Sequence, residues 1–341
     1  MRQQLLQRRG NSAPRWWQQA LRRFDDMVIA ASTRICGPGS SLVIMMSHGI
    51  YRDEDEAFSG SVDPYQPLTT ANLAIVIECF LAGGYRFITP ADLDRPFEAN
   101  ARCVLLTFDD GYANNLRALP ILQRYGVPAT FFIAAGHVAS GEAFWWDVLY
   151  RERLKRNNSL SEIVAERQKL KSLDNKGIKA HLRTTFGDGV FQPVSEIDRP
   201  LTVAELQRLA ADPLVTLGNH TVDHELLTRI PLDEARAQIR DCQTLLEEWT
   251  GVTPPIIAYP NGVYNEAVVA EAEKAGLRAG LISVWGRTRL PLDSTNRMRL
   301  PRYATSGGRN TERDCRVIMA PFSLSAVKQS IRSRRQQRAL P

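Results

Sequence analysis

The chain has 341 residues, 44% of them hydrophobic and 23% charged, with 43 basic against 37 acidic side chains and a formal net charge of +6. That content excludes a disordered or low-complexity chain and suffices for one large core or two modest domains. Five scattered cysteines without a CxxC pair argue against a disulfide framework and fit a reducing compartment, and no apolar run is long enough to suggest a spanning helix.

The basic residues crowd both ends, at Arg8, Arg9, Arg15, Arg22 and Arg23 and again at Arg332, Arg334, Arg335 and Arg338. Such ends suit an anionic membrane face or a phosphate-bearing substrate; solvated termini are the plainer reading. They form no stripe with interleaved aromatics, so no nucleic-acid partner is expected. The N-terminus shows no apolar signal core after its arginines, which leads us to expect a cytoplasmic protein, at or near the inner membrane face. Residues 13–31, with Trp16 and Trp17 beside arginines, are expected to be helical, packed on the protein or lying on a membrane.

Residues 42–46 form an apolar strand candidate that ends at Ser47, His48 and Gly49. An acidic, glycine- and proline-containing stretch, 51–65, reads as a loop, and a helix follows from Leu68 to a stop at Gly83–Gly84. A strand at 85–88 and a short helix at 90–93 lead into CVLLTFDDGY, residues 103–112. Here a buried strand delivers two adjacent carboxylates, Asp109 and Asp110, to a rim, where burial without a partner would be costly. Their plain role would be the cap and first-turn charge of a helix at 114–125. ATFFIA, 129–134, is another buried strand, so strand, helix and strand follow at the spacing of a parallel crossover.

Residues 137–200 read as an inserted set of helices opening on an aromatic run at Trp145–Trp146. Next come a helix at 204–210, a strand at 215–217 ending in Gly218, Asn219 and His220, a long helix at 232–249, a strand at 256–259, a helix at 265–275, and strands at 279–284 and 298–302. About seven strands alternating with helices suggest an α/β fold closed into a (β/α) barrel, with a doubly wound open sheet as the rival. The chain divides into an N-terminal helical arm (1–36), a barrel (37–320) carrying the insertion, and a basic tail or helix (321–341).

His220 and His224 are two of only five histidines. On a helix they would share one face, a common grip for a divalent ion. Alone the pair could equally be a polar cap. Joined to the Asp109–Asp110 rim, it offers a carboxylate and two imidazoles with open positions, and leaves the second carboxylate as a base. His137 and His181, in or beside the insertion, are expected at the surface or behind the ligands.

TFDDGY (107–112), HTVDH (220–224) and AYPNG (258–262) resemble the first, second and third motifs of the NodB-type polysaccharide deacetylases, carbohydrate esterase family 4, over roughly 42–304. The resemblance implies a distorted (β/α)7 barrel. It implies one divalent ion, expected to be Zn²⁺, held by Asp110, His220 and His224, with Asp109 as general base. The Tyr259 N–H would help hold the oxyanion while an N-acyl, expected N-acetyl, group leaves an amino sugar. His48 resembles an early histidine of these proteins and would line the mouth. FWWD (144–147) also resembles a run in relatives that carry the insertion. Trp145, Trp146, Tyr259 and Trp285 are candidates to stack on a sugar, and Arg302 to orient a sugar or phosphate in the cleft.

Two departures stand out. Ala258 occupies the place of an arginine that braces the catalytic aspartate in many members, and no histidine follows His224 to serve as the late general acid; Arg297, Arg299 and Arg302 occupy that region. His48 or a protonated Asp109 would then have to serve. The expected substrate is an acylated amino sugar that is phosphate- or lipid-linked, in a polysaccharide, glycolipid or nucleotide-sugar pathway. The rival readings are a weak or inactive carbohydrate binder and a deformylase-type amidase on the same fold.

Overall fold

The structure, a computed structural model, describes residues 16–37, 39–305, 307 and 310–338. Arg8, Arg9 and Arg15 lie outside the described residues. The strands are β1 (Ser41–Ser47), β2 (Ile50–Tyr51), β3 (Leu68–Thr69), β4 (Arg86–Phe87), β5 (Arg102–Phe108), β6 (Ala129–Ile133), β7 (Val215–Asn219), β8 (Ile256–Ala258), β9 (Ala279–Ile282), β10 (Thr288–Arg289), β11 (Leu300–Pro301) and β12 (Tyr303–Ala304).

The main sheet runs β10-β1-β5-β6-β7-β8-β9-β11, parallel except where β10 joins β1. It comes nearly full circle because one segment serves both edges: β11 pairs with β9 and β12 pairs with β1. The expected last strand, 298–302, is thus a seam split around Arg302, whose own N–H donates to the Val284 carbonyl at 3.0 Å. This is the distorted (β/α)7 barrel that the resemblance implied.

Parallel strands covered on both sides need apolar residues at every position, and each strand turns alternate residues inward and outward. Leu42, Ile44, Cys103, Leu105, Phe132 and Leu281 fill the barrel; Val43, Met45, Val104, Leu106 and Phe131 face the outer helices with Leu73, Phe80, Leu122, Leu206 and Leu246. The same alternation turns Asp109 and Arg302 inward at the rim and Tyr259 outward, beneath Val268 and Ala272 of the Glu266–Lys274 helix.

Local chemistry adjusts several expected bounds. The helix after the paired aspartates is a 3-10 turn, Ala113–Ala118, followed by α-helix Leu119–Tyr125 with Pro120, a residue with no N–H to donate, in its first turn. β2 and β3 form a small ribbon where a loop and a helix start were expected. Within the insertion, Trp145–Lys155, Leu160–Leu170 and Asn175–Phe186 build a small core of their own around Val148, Leu149, Ile178 and Leu182. At the ends, helix Trp16–Cys36 packs on helix Leu324–Arg338, and Asp25 of the first accepts from Leu324 N at 2.7 Å. None of the described helices is long and apolar enough to cross a membrane.

Candidate active site

Six strand ends, those of β1, β5, β6, β7, β8 and β9, open on one rim. Over it lies a cleft of about 490 Å³, walled by His48, Asp109, Asp110, His220 and His224 and, from the insertion, by Trp145, Trp146, Arg167 and Lys171.

The chain reverses sharply after β5: Asp110 and Gly111 both take positive φ, 77° and 82°, a strained backbone for an aspartate. That turn brings Asp110 to the histidines after β7. Its Oδ1 lies 3.3 Å from His220 Nε2 and 3.7 Å from His224 Nε2, and all three ligand atoms fall within 4.8 Å of one another. The histidine segment is not helical. Thr221 (φ 65°) and His224 (φ 55°) kink it, and Asn219 holds the first kink by accepting from Thr221 N at 2.9 Å while its amide donates to the Ile239 carbonyl. His220 Nδ1 donates to the Ala258 carbonyl at 2.7 Å, so Nε2 carries the lone pair that faces Asp110.

The donor set fits a divalent ion. Among the described residues Asp110 Oδ1 is buried without a hydrogen-bond partner, an expensive state for a carboxylate oxygen unless a cation completes it. Burial opposes ionisation of Asp110, yet the imidazoles of His48, His220 and His224 outweigh it and hold the carboxyl below the usual range. Burial pushes His224 down to about 3, with His220 adding to the effect, so its ring is neutral and ready to ligate. Burial also opposes charge on His220, and its contact with Asp110 raises it.

Asp109 is the second carboxylate. Arg302 reaches it from the seam, Nη1 to Oδ1 at 2.8 Å, with the arginine side chain 1% and the aspartate side chain 3% exposed. Burial raises the Asp109 carboxyl, but the Arg302 guanidinium prevails and holds it below the usual range. Arg302 therefore does not line the cleft as expected. It supplies from the seam the brace that Ala258 lacks in the third motif.

Two more expectations are corrected. The Tyr259 N–H donates to the Leu281 carbonyl at 3.2 Å within the sheet, and its ring lies outside the barrel against Tyr264. The loop residue that reaches the cleft is Asn261, at φ 54°. Gly262 beside it (φ 73°) is required, since a Cβ there would sit 2.3 Å from Ser283 N. Trp285 also does not line the cleft; it packs edge-on against Tyr303, where the chain turns away from the rim. Arg297 and Arg299 pair with Asp94 and Glu266. Of the two places expected for the remaining histidines, His137 is buried, against Phe144, and His181 is at the surface.

His48 does line the mouth, with Nδ1 2.7 Å from Gln66 Oε1. Trp145 and Trp146 line it as well, and the FWWD run gains a purpose. Trp146 Nε1 donates to Tyr112 Oη at 2.9 Å, Tyr112 Oη donates to Asp147 Oδ2 at 2.7 Å, and the Trp146 ring lies edge-on to His224 at 4.9 Å. Thus the insertion fixes a ligand ring. Sequence reasoning missed Lys171, whose Nζ donates to Asn261 Oδ1 at 2.6 Å. Burial, with Arg167 and Arg229, brings its ammonium down to about 8. A lone lysine in a charged insertion carries no signal of this.

Fold and site together define a largely parallel barrel that carries, at one rim, a carboxylate and two imidazoles placed to hold a divalent ion. The chain belongs to the polysaccharide deacetylase family, whose model matches residues 98–280. It is similar to YxkH of Bacillus subtilis (strain 168), named provisionally as a polysaccharide deacetylase, with 25% identity over 203 residues, 58% of this chain and 52% of YxkH. The chain thus spans about half the length of that relative. Among solved structures it resembles the Streptococcus pyogenes deacetylase PplD, in complex with acetate (TM-score 0.58, 18% identity, 83% of this chain and 100% of that one). It also resembles IcaB from Ammonifex degensii (TM-score 0.55, 15% identity, 82% and 97%). At such identities these likenesses show the fold.

Proposed function

We propose that the protein is a metal-dependent deacetylase that removes an N-acyl group, N-acetyl in the first instance, from an amino sugar. The observation that carries this is the orphaned Asp110 Oδ1 between two imidazoles, with a braced, ionised carboxylate next to it in sequence. Asp110, His220 and His224 would hold the ion, which we assign as Zn²⁺ from the mixed nitrogen and oxygen donors. When bound, such an ion supplies Lewis-acid chemistry, polarising a carbonyl and acidifying water.

The chain's own groups do the rest. Arg302 occupies Asp109 Oδ1 and keeps the carboxylate charged, which leaves Oδ2 to accept the proton of the attacking water. The leaving amine needs a proton that no late histidine can give. Lys171 has an ammonium near pKa 8 in the cleft wall and takes that role, with Asn261 aiming it. Trp145 and Trp146 offer faces for a sugar ring.

The substrate we assign is phosphate- or lipid-linked, handled in the cytoplasm at the inner membrane face. Lys171 in the cleft wall, beside an Arg167 that pairs with Asp63, and the free thiols of all five cysteines support that setting. The test is acetate release by chelated and metal-reloaded protein from free, nucleotide-linked and polyprenyl-phosphate-linked N-acetyl amino sugars. Metal-dependent acetate supports the proposal. Formate from an N-formyl sugar in its place would make the enzyme a deformylase, and no acyl release from a metal-loaded protein would leave only a binder.

A further inference from the structure

Helix Trp16–Cys36 packs on the body by one side only, where Asp25, Ile29 and Ser32 meet helices Thr311–Met319 and Leu324–Arg338. The flank next to that side repeats Trp17, Phe24, Met27 and Ile35 at helical spacing, all turned to solvent, with Met27 62% and Ile35 80% exposed. Helix Leu324–Arg338 does the same with Leu324, Val327 and Ile331. Large side chains left in water along two neighbouring helices mark a binding surface.

Charge says what covers it. The two helices carry Arg22, Arg23, Lys328, Arg332, Arg334 and Arg335, and Leu324–Arg338 contains no acidic residue. The two acids of the first helix, Asp25 and Asp26, are both engaged by Arg313. Between the helices is a depression of about 310 Å³ lined by Arg22, Arg313, Lys328 and Arg332 against one carboxylate, Asp314, and by Trp285. A second copy of this face would set like charge against like, whereas an anionic bilayer complements both its charge and its apolar residues.

We propose that the two terminal helices form a docking surface for anionic phospholipid. The exposed aromatic and aliphatic side chains enter the boundary between headgroups and acyl chains. The basic depression receives a phosphate-bearing headgroup. The surface also reaches the catalytic cleft: Ser333 and Gln337 of the same C-terminal helix line it, and Gln337 Nε2 donates to the Gly262 carbonyl at 2.7 Å. A lipid-carried substrate is then presented beside the mouth, a point that rests on the deacetylase reading; the docking itself does not.

The experiment is co-sedimentation of the full chain with vesicles of phosphatidylcholine alone and of equimolar phosphatidylcholine and phosphatidylglycerol, with melting temperatures as a folding control. Binding to the anionic vesicles only, weakened by salt, is expected. Lys328→Ala with Arg332→Ala should weaken it by about 30-fold, roughly fivefold per cation, and Phe24→Glu with Met27→Glu should abolish it. Acetate release from a soluble N-acetyl sugar should be unchanged in both variants, so failure of docking is separable from failure of the deacetylase reading. Equal binding to both vesicles, no binding, or binding indifferent to these substitutions overturns the proposal. So does a concentration-dependent dimer that Phe24→Glu dissociates, which would make the face an interface between copies.

Discussion

Arg302→Met removes the brace on Asp109 without touching the cleft. Both partners are almost wholly buried and 2.8 Å apart. Taking away one member of such a pair leaves a buried charge without its counter-ion, at about 3–5 kcal/mol. Asp109 can relieve part of that cost only by binding a proton, and in doing so it ceases to be a base. The sign follows from its lowered carboxyl. In the wild type the pair's stability is fully present above the unfolded-state value and is lost as pH falls through the folded one. In Arg302→Met that contribution is gone, so the two proteins differ most near neutral pH and converge in acid. Urea unfolding should therefore show a loss of about 3–5 kcal/mol near pH 7. Acetate release should fall by about 100-fold or more, and the acid limb of its pH profile should move to higher pH. Asp109→Asn together with Arg302→Met removes both charges and should be more stable than Arg302→Met alone. Wild-type stability and an unmoved acid limb in Arg302→Met would refute the brace.

Lys171→Met should remove the loss of activity above about pH 8 that titration of Lys171 gives the wild type, and lower kcat itself. Because the folded value lies below the unfolded one, Lys171 costs stability while charged, and the wild type regains it as pH rises from about 8 towards the unfolded value. The variant should thus gain on the order of 1–3 kcal/mol near pH 7 in thermal unfolding, and the gain should shrink as pH rises. Trp146→Phe breaks the hydrogen bond to Tyr112 and loosens the packing on His224; metal titration should show about 10–100-fold weaker affinity. Tyr259→Phe should leave kcat/KM unchanged and raise the melting temperature, because its ring lies outside the barrel and its hydroxyl is buried with no hydrogen-bond partner among the described residues.

The barrel was legible because parallel strands covered on both faces leave continuous apolar runs, as in 103–108 and 129–134, each ending in polar residues that mark the rim. The ligand set was legible because two carboxylates at a strand end and two spaced imidazoles are rare enough to stand out. The geometry that joins them was not. The GNHTVDH segment suggested a helix by its histidine spacing, yet it holds asparagine, threonine and aspartate, which favour turns, and the left-handed kinks at Thr221 and His224 bring the rings together. The Tyr259 N–H is spent on the sheet and its ring points outward with every second residue of β8, a parity that strand periodicity could have shown. Arg302 stood out as a site residue, but its pairing with Asp109 left no local trace: the two lie 193 residues apart, and only barrel closure at the split seam makes them neighbours. The same holds for Ser333 and Gln337, which a basic tail gave no reason to place on a cleft.

The most direct test of the account is a paired measurement of bound metal and released acetate on chelated protein titrated with Zn²⁺. One equivalent should bind the wild type and Asp109→Asn alike, restoring acetate release only in the wild type, while His220→Ala should lose the tight site. Undiminished turnover in the chelated protein, or tight binding that survives loss of His220, would contradict it.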